Sequence, residues 1–376
     1  MLDFIRVACL RNLISIELEL HSNFNFLLGA NASGKTSFLE AIYLLGTGRS
    51  FRSSYIRDLI NLKEVESTIF GKLLPSPIAP LGNTLALRKS VSGESKILLN
   101  GKMQNSIASF AKLLPVQIIG PDLELFADSR SGVRRQFLDW GLFYENEIYW
   151  GMWKTARKIL SQRNALLKQP TIDFKQLDYW DEQWAEISEQ LSLLRLDYLN
   201  RLIQSAVFRQ TNFVESAHFS IEYHRGWPQK KPLIDYLIES RDRDRAKGNT
   251  QYGIHRDDIK IAVKNRMASE MLSRGQKKLM TLQLRFAQAS LLVQQRPHLK
   301  SVFLLDDLAS ELDLTHQKKV IKSLLDLNYQ SIITSTSRNL VWEQIIQHQH
   351  GNGQKGFRMF HVEHGNIIDA EANLVI

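Results

Sequence analysis

The chain has 376 residues, 44% of them hydrophobic and 23% charged, and Lys plus Arg outnumber Asp plus Glu by 48 to 39. This length exceeds what one hydrophobic core usually serves, so more than one folding unit is expected, and with no run near about eighteen uninterrupted apolar residues a membrane-spanning helix is excluded. The net charge of +9 suits a polyanionic partner such as nucleic acid without establishing one.

In chain order, residues 1–6 (MLDFIR) lack a basic region followed by an apolar one, so no export signal is expected. The single cysteine, Cys9, cannot form an intramolecular disulfide, and a reducing cytoplasmic location fits. Residues 4–26 alternate apolar and polar in pieces such as Ile14, Ile16, Leu18 and Leu20, which predicts paired strands. They lead into GANASGKT, residues 29–36, which fits G-x-x-x-x-G-K-[ST] between an apolar run and an amphipathic one.

The residue types of this loop follow from polyphosphate chemistry. Backbone N–H groups along Gly29, Ala30, Asn31, Ala32, Ser33 and Gly34 can turn inward toward phosphate oxygens at a helix N-terminus. Lys35 would reach the β and γ phosphates of ATP, and the Thr36 hydroxyl would ligate Mg²⁺. Arg49, Arg52 and Arg57 follow, as a nucleic-acid contact or a solvated basic face. Residues 66–100 read as short strands broken by Pro75, Pro77, Pro80, Gly82 and Gly93, and Asn100-Gly101 marks a hairpin turn.

From about residue 130 the pattern becomes helical. Helices are expected over 148–168 and 177–214, the second about 55 Å long at 1.5 Å per residue. Ile187, Leu191, Leu194, Tyr198 and Leu202 recur at three- and four-residue steps, which predicts an antiparallel helical arm or a packed helical subdomain. Lys154, Arg157, Lys158 and Arg163 form a second basic row, again a nucleic-acid contact or a solvated face. Residues 240–250 (SRDRDRAKGNT) are expected to be a mobile loop.

Two further motifs follow. LSRGQKKLM, residues 272–280, resembles the LSGGQ signature of ABC-type ATPases, with Arg274 in place of a glycine. The resemblance implies that Ser273, Gly275 and Gln276 contact a nucleotide held by a second subunit. SVFLLDDLASELD comes next, with Asp306 thirty positions after Gln276 (306 − 276). Its apolar run predicts a buried strand ending in two carboxylates: Asp306 placed to hold Mg²⁺, and Asp307 placed to orient an attacking water. SELD, residues 310–313, resembles the D-loop of those ATPases and implies a nucleotide contact by Asp313. The run SIITSTS, residues 331–337, is a strand ending in hydroxyls, and the γ-phosphate-sensing group is expected near Thr336.

The segments 29–52, 134–143 (RRQFLDWGLF), 253–259 (GIHRDDI), 272–280 and 304–313 (LLDDLASELD) together resemble the RecF family, ABC-type relatives of the SMC ATPases. The likeness spans essentially the whole chain. That family typically carries glycine where Ala32 stands and proline where Ile254 stands, and GPDLELF at 120–126 varies a P-E-D-L-like stretch. The resemblance implies an α/β fold, an ABC-type ATPase head with mixed β-sheets and a P-loop, plus an inserted helical, coiled-coil-like arm. It places head segments at 1–128 and 251–376 and the arm at 129–250. It further implies a slow ATPase that forms an ATP-dependent homodimer, binds single- and double-stranded DNA, and works with RecO and RecR to load RecA at gaps. A nucleotide-binding scaffold with incidental DNA contacts is the alternative reading.

Overall fold

The computed structural model describes residues 1–120, 125–128, 131–210, 219–307, 312–327, 329–336 and 356–370. The chain divides into two compact units, Met1–Leu123 with Leu292–Ile376, and Glu124–Leu291. Fifteen strands lie among the described residues and are numbered in chain order.

The first unit contains two six-stranded sheets. One is antiparallel, in the order β2 (Leu13–Glu19), β1 (Leu2–Leu10), β4 (Glu66–Leu73), β5 (Thr84–Ser90), β6 (Ser95–Leu99), β7 (Lys102–Met103). In the β1–β2 hairpin Ile5 faces Leu18 and Val7 faces Ile16, so one buried apolar face runs across both strands. The expected alternation holds for Ile16, Leu18 and Leu20, but Ile14 is 65% exposed and Leu13 takes the core position beside the turn. Asn100 and Gly101 turn β6 into β7 with φ of 50° and 74°, as their residue types require.

The other sheet runs β15 (Asn366–Asp369), β14 (Phe357–Glu363), β3 (Phe24–Leu28), β13 (Gln330–Ser335), β12 (Val302–Leu305), β8 (Val116–Ile119). All its pairings except β14–β15 are parallel. Strands of a parallel sheet are covered on both faces and read as continuous apolar runs, and Val302, Phe303, Leu304 and Leu305 are all fully buried. Because β13 pairs with both β3 and β12, with Leu27 opposite Thr334 and Leu305 opposite Ile333, the loops that leave β3 and β12 emerge side by side. Ligands of open α/β sheets bind at this carboxyl edge.

The second unit packs the helices Ser131–Glu145, Tyr149–Leu167 and Phe174–Gln204 with a three-stranded sheet in the order β11 (Arg266–Met267), β10 (Asp258–Val263), β9 (Phe219–His224). The pairing of β10 with β9 ties residues after 251 to this unit. The compact division therefore falls after 123 and after 291, whereas the sequence reading placed 251–291 with the head. Leu191, Tyr198 and Leu202 of the helical stripe are buried in the same core as Trp184, Ile259 and Leu284.

The long helix is Phe174–Gln204 rather than the expected 177–214, so it starts three residues earlier and stops ten earlier. Asp173 caps it by accepting from the N–H groups of Lys175 and Gln176, and it ends where Ser205 turns extended, with ψ of 145°. The expected loop at 240–250 is instead largely the helix Arg241–Lys247, closed by Gly248 in the left-handed region. Its polar composition hid the reason: Asp244 is buried and accepts from Arg163 Nη1 at 2.8 Å, fixing the segment to the core.

Candidate nucleotide site

The loop at residues 29–34 connects the end of β3 to the helix Lys35–Thr47. Gly34 takes φ of 124°, a conformation that side chains strain to adopt. No side chain caps this helix, so its first N–H groups remain available to an anion. Ala30, Asn31 and Ala32 are exposed at the rim, while Ser33, Gly34 and Lys35 are buried. The Ser33 hydroxyl is buried and has no hydrogen-bond partner among the described residues.

Lys35 Nζ donates to the carbonyls of Gly29 at 2.6 Å and Ala30 at 2.8 Å. Burial pushes the ammonium pKa down, and the carboxylates of Asp307 and Asp306 pull it back up. The Thr36 hydroxyl lies 3.1 and 3.0 Å from the two carboxylate oxygens of Asp306. Asp306 leaves β12 and its backbone N–H donates to the Ile119 carbonyl at 2.8 Å. The next residue, Asp307, turns with φ of 48°.

Thr334 joins the Asp306 carboxylate to the Asp307 backbone. Its hydroxyl accepts from the Asp307 N–H at 2.9 Å and donates to Asp306 Oδ1 at 2.9 Å. The hydroxyl-rich strand end was read from sequence with Thr336 as its centre, but Thr336 is exposed and the buried Thr334 makes these bonds. Sequence reasoning also missed Arg11 and Asn12, which turn the β1–β2 hairpin against the loop. Asn12 Nδ2 donates to the Ala32 carbonyl at 3.3 Å, and Asn12 Oδ1 accepts from Ser37 Oγ at 2.9 Å. Arg11 pairs with the fully buried Glu40, donating from Nη2 to Oε1 at 2.9 Å. An acid inside the apolar run Phe38 to Ile42 was the one signal for that pair.

These groups surround a cavity of about 590 Å³ lined by Lys35, Thr36, Asp306, Asp307, Arg11 and Arg52, among others. The residues fit a polyphosphate with a hard divalent cation: an uncapped helix start, a buried ammonium, an unpartnered buried hydroxyl, and an alcohol beside a carboxylate as an all-oxygen ligand pair.

Arg52, expected among nucleic-acid contacts, thus lines this cavity, 3.9 Å from Glu40. Arg49 lines a neighbouring one with Lys89, and Arg57 is exposed on the short turn Ile56–Asp58. In the second unit Lys154, Arg157 and Lys158 are exposed along the helix Tyr149–Leu167. Arg163, read as part of that basic row, is fully buried and bonds Asp181 at 2.6 Å, so it is a core residue.

Ser273 begins the helix Arg274–Gln295 with a reciprocal cap: its hydroxyl accepts from the Gln276 N–H at 3.3 Å, and Gln276 Oε1 accepts from the Ser273 N–H at 3.0 Å. Ser273, Arg274 and Gly275 are exposed. Among the described residues a Cβ at Gly275 would meet nothing within 4 Å, so packing against them does not require glycine there. Asp313 caps the helix Leu314–Leu327, accepting from the His316 N–H at 3.0 Å and lying 2.6 Å from His316 Nδ1, and these bonds hold its pKa below the usual carboxylate range. Residues 121–124 of the P-E-D-L-like stretch, residues 308–311, which include Ser310 and Glu311 of the D-loop, and Ser337 lie outside the described residues.

The model of the RecF/RecN/SMC N-terminal domain matches residues 1–355. The chain is 35% identical over 365 residues to the DNA replication and repair protein RecF of Cellvibrio japonicus, covering 96% of this chain and 98% of that one. It is 36% identical over 370 residues to RecF of Stutzerimonas stutzeri, covering 97% and 96%. Among solved structures, the recombination mediator protein RecF with ATP, of the RecFOR pathway, superimposes with a TM-score of 0.85 at 28% identity, over 98% of this chain and 97% of that one. An SMC head bound to the C-terminal winged-helix domain of ScpA, 15% identical with a TM-score of 0.57, shares the fold. With a P-loop and a two-aspartate strand end on adjoining loops and relatives matched over nearly their whole length, the chain belongs to the RecF family.

Proposed function

We propose that the chain is an ATP-dependent DNA-binding protein of replication and recombinational gap repair, with slow ATP hydrolysis as its switch. The observation that carries this reading is the meeting of Lys35 and Thr36 with Asp306 and Asp307 across β13. Lys35 would exchange the Gly29 and Ala30 carbonyls for phosphate oxygens, which explains why a buried ammonium is kept beside two carboxylates. Thr36 and Asp306 would hold Mg²⁺, which when bound neutralises charge on the phosphates. Asp307 orients the attacking water and accepts its proton, and Thr334 fixes both aspartates. Phosphoryl transfer asks little covalent chemistry of protein, so positioning is the main task.

The exposed cap at Ser273, Gly275 and Gln276 suits contact with a nucleotide held by a second copy, and Asp313 would join that contact from its loop. An ATP-dependent homodimer follows, because nucleotide bound between copies stabilises their association by mass action. Single- and double-stranded DNA, RecO and RecR are the partners this family reading supplies, in the cytoplasm, with Arg49, Arg57, Lys154, Arg157 and Lys158 as DNA contacts; Arg52 borders the nucleotide. Binding of a fluorescent ATP analogue and phosphate release test the roles. Lys35→Ala is expected to lose binding, and Asp307→Asn to keep binding while turnover falls at least a hundredfold. Full turnover in either variant contradicts the assignment.

A further inference from the structure

The apolar row of β5 ends in a charge. Leu85 and Leu87 are buried in the core of the first unit, and period-two alternation puts Lys89 on the same side of the strand. Arg88, on the other side, is paired with Glu66. Lys89 is half-buried, and burial pushes its ammonium pKa down with no carboxylate to pull it back. The ammonium of Lys35, lowered in the same way, has Asp307 and Asp306 to offset it.

Lys89 lines a cavity of about 620 Å³ whose walls hold two further cations, Arg49 and Arg52, with three serines and no acid. The segment that builds most of it leaves the helix Lys35–Thr47 at Gly48, which turns with φ of 72°. Ser50 donates to the fully buried Glu40 and accepts from the N–H groups of Arg52 at 2.9 Å and Ser53 at 3.0 Å. Phe51 packs edge-on against Tyr43 with centroids 5.4 Å apart. Bonds within the chain thus set the wall in place. Among the described residues neither Arg49 nor Lys89 has a carboxylate partner.

We infer that this cavity holds one backbone phosphate of a nucleic-acid strand between Lys89 and Arg49, with Arg57, exposed on the same segment, serving the next. This rests on the DNA-binding reading and gives it a built contact. An unpaired ammonium in an apolar row costs stability, and a phosphate supplies the counter-charge that the chain itself withholds. A hydrocarbon side chain would leave the ammonium unpaired, and a free phosphate would give Arg57 no role. Arg52 lines both this cavity and the nucleotide cavity, so affinities are compared in one nucleotide state.

The test measures the affinity of the intact chain, with ATP and Mg²⁺, for a duplex and for a single strand across a series of salt concentrations. Lys89→Leu is expected to weaken both at least about five-fold and to lower the slope of log affinity against log salt by about one. Its urea midpoint should rise, since an apolar side chain then completes the row, and its binding of a fluorescent ATP analogue should match the wild type. Lys322→Gln, at an exposed lysine of the helix Leu314–Leu327, shows the effect of net charge alone and should keep the wild-type slope. Ser54→Asp, at an exposed lining position, should weaken nucleic-acid binding as Lys89→Leu does, whatever the stability of that variant. Wild-type affinity in either cavity variant, or a lower midpoint in Lys89→Leu, would overturn the site and leave DNA binding standing, whereas a wild type that binds neither nucleic acid would overturn both. If inorganic phosphate raises the urea midpoint of the wild type but not of Lys89→Leu while their salt slopes agree, the cavity serves a free anion and the inference is wrong.

Discussion

Ala32 carries a methyl group at φ of 62°, where a non-glycine residue costs about 1–2 kcal/mol. Ala32→Gly is therefore expected to stabilise the chain by about 1 kcal/mol, read as a higher urea midpoint at unchanged slope. An unchanged or lower midpoint would mean that the loop is held by more than local backbone preference. Thr334 has no predicted contact with ligand, yet it fixes both aspartates. Thr334→Val should retain ATP binding and lose about ten- to a hundredfold in turnover, the scale seen when an outer partner of a metal ligand is removed. Lys35, Thr36, Asp306 and Asp307 were legible because their spacing encodes strand, loop and helix. Thr334 was not, because a run of hydroxyls carries no mark of which one the sheet register brings beside Asp306, and Arg11 and Asn12 lie on a hairpin far from either motif.

At the scale of elements, buried charge holds the second unit together. Arg163 donates to Asp181 at 2.6 Å, Asp244 at 2.8 Å and Thr250 at 2.7 Å, joining three helices within a buried core. Arg163→Met would leave the buried Asp244 without its cation, while Asp181 keeps Arg241 at 2.7 Å, and is expected to destabilise the chain by about 3–5 kcal/mol by urea unfolding. A loss below about 1 kcal/mol would mean that water reaches the site. This network also explains the misread segment at 240–250, since its polar composition signals a loop until Arg163 is known to receive Asp244. The helix ends differ likewise, with Asp173 and Ser205 setting limits that the apolar stripe from Ile187 to Leu202 does not mark. His255 adds a pH dependence. Burial lowers its pKa to about 4, opposed by the Thr250 carbonyl and assisted by Arg256, Arg135 and Arg163. Between an ordinary value of about 6.5 and 4 the unfolded chain binds the extra proton. The ring thus costs nothing above pH 6.5, and stability falls as pH drops toward 4, by up to about 3 kcal/mol. His255→Gln should flatten that part of the urea midpoint against pH; an unaltered slope would place the titration elsewhere.

For the whole molecule, the nucleotide motifs divide between the two units, the P-loop and Asp306 in one and Ser273 in the other. The sequence carries the P-loop and a signature-like segment in that order, but the association of copies is not written in one chain's periodicity. What it does contain is an exposed glycine with no packing reason among the described residues to be one, at the start of a helix whose cap is complete without a ligand. The account makes that surface the place where a second copy meets bound ATP. The most direct measurement is sedimentation of the wild type with ATP and Mg²⁺, with ADP, and without nucleotide, beside Ser273→Arg. Dimers with ATP alone in the wild type, and monomers throughout for Ser273→Arg with its ATP binding intact, are the expected result; ATP binding by the wild type with no change of mass would contradict a site completed between two copies.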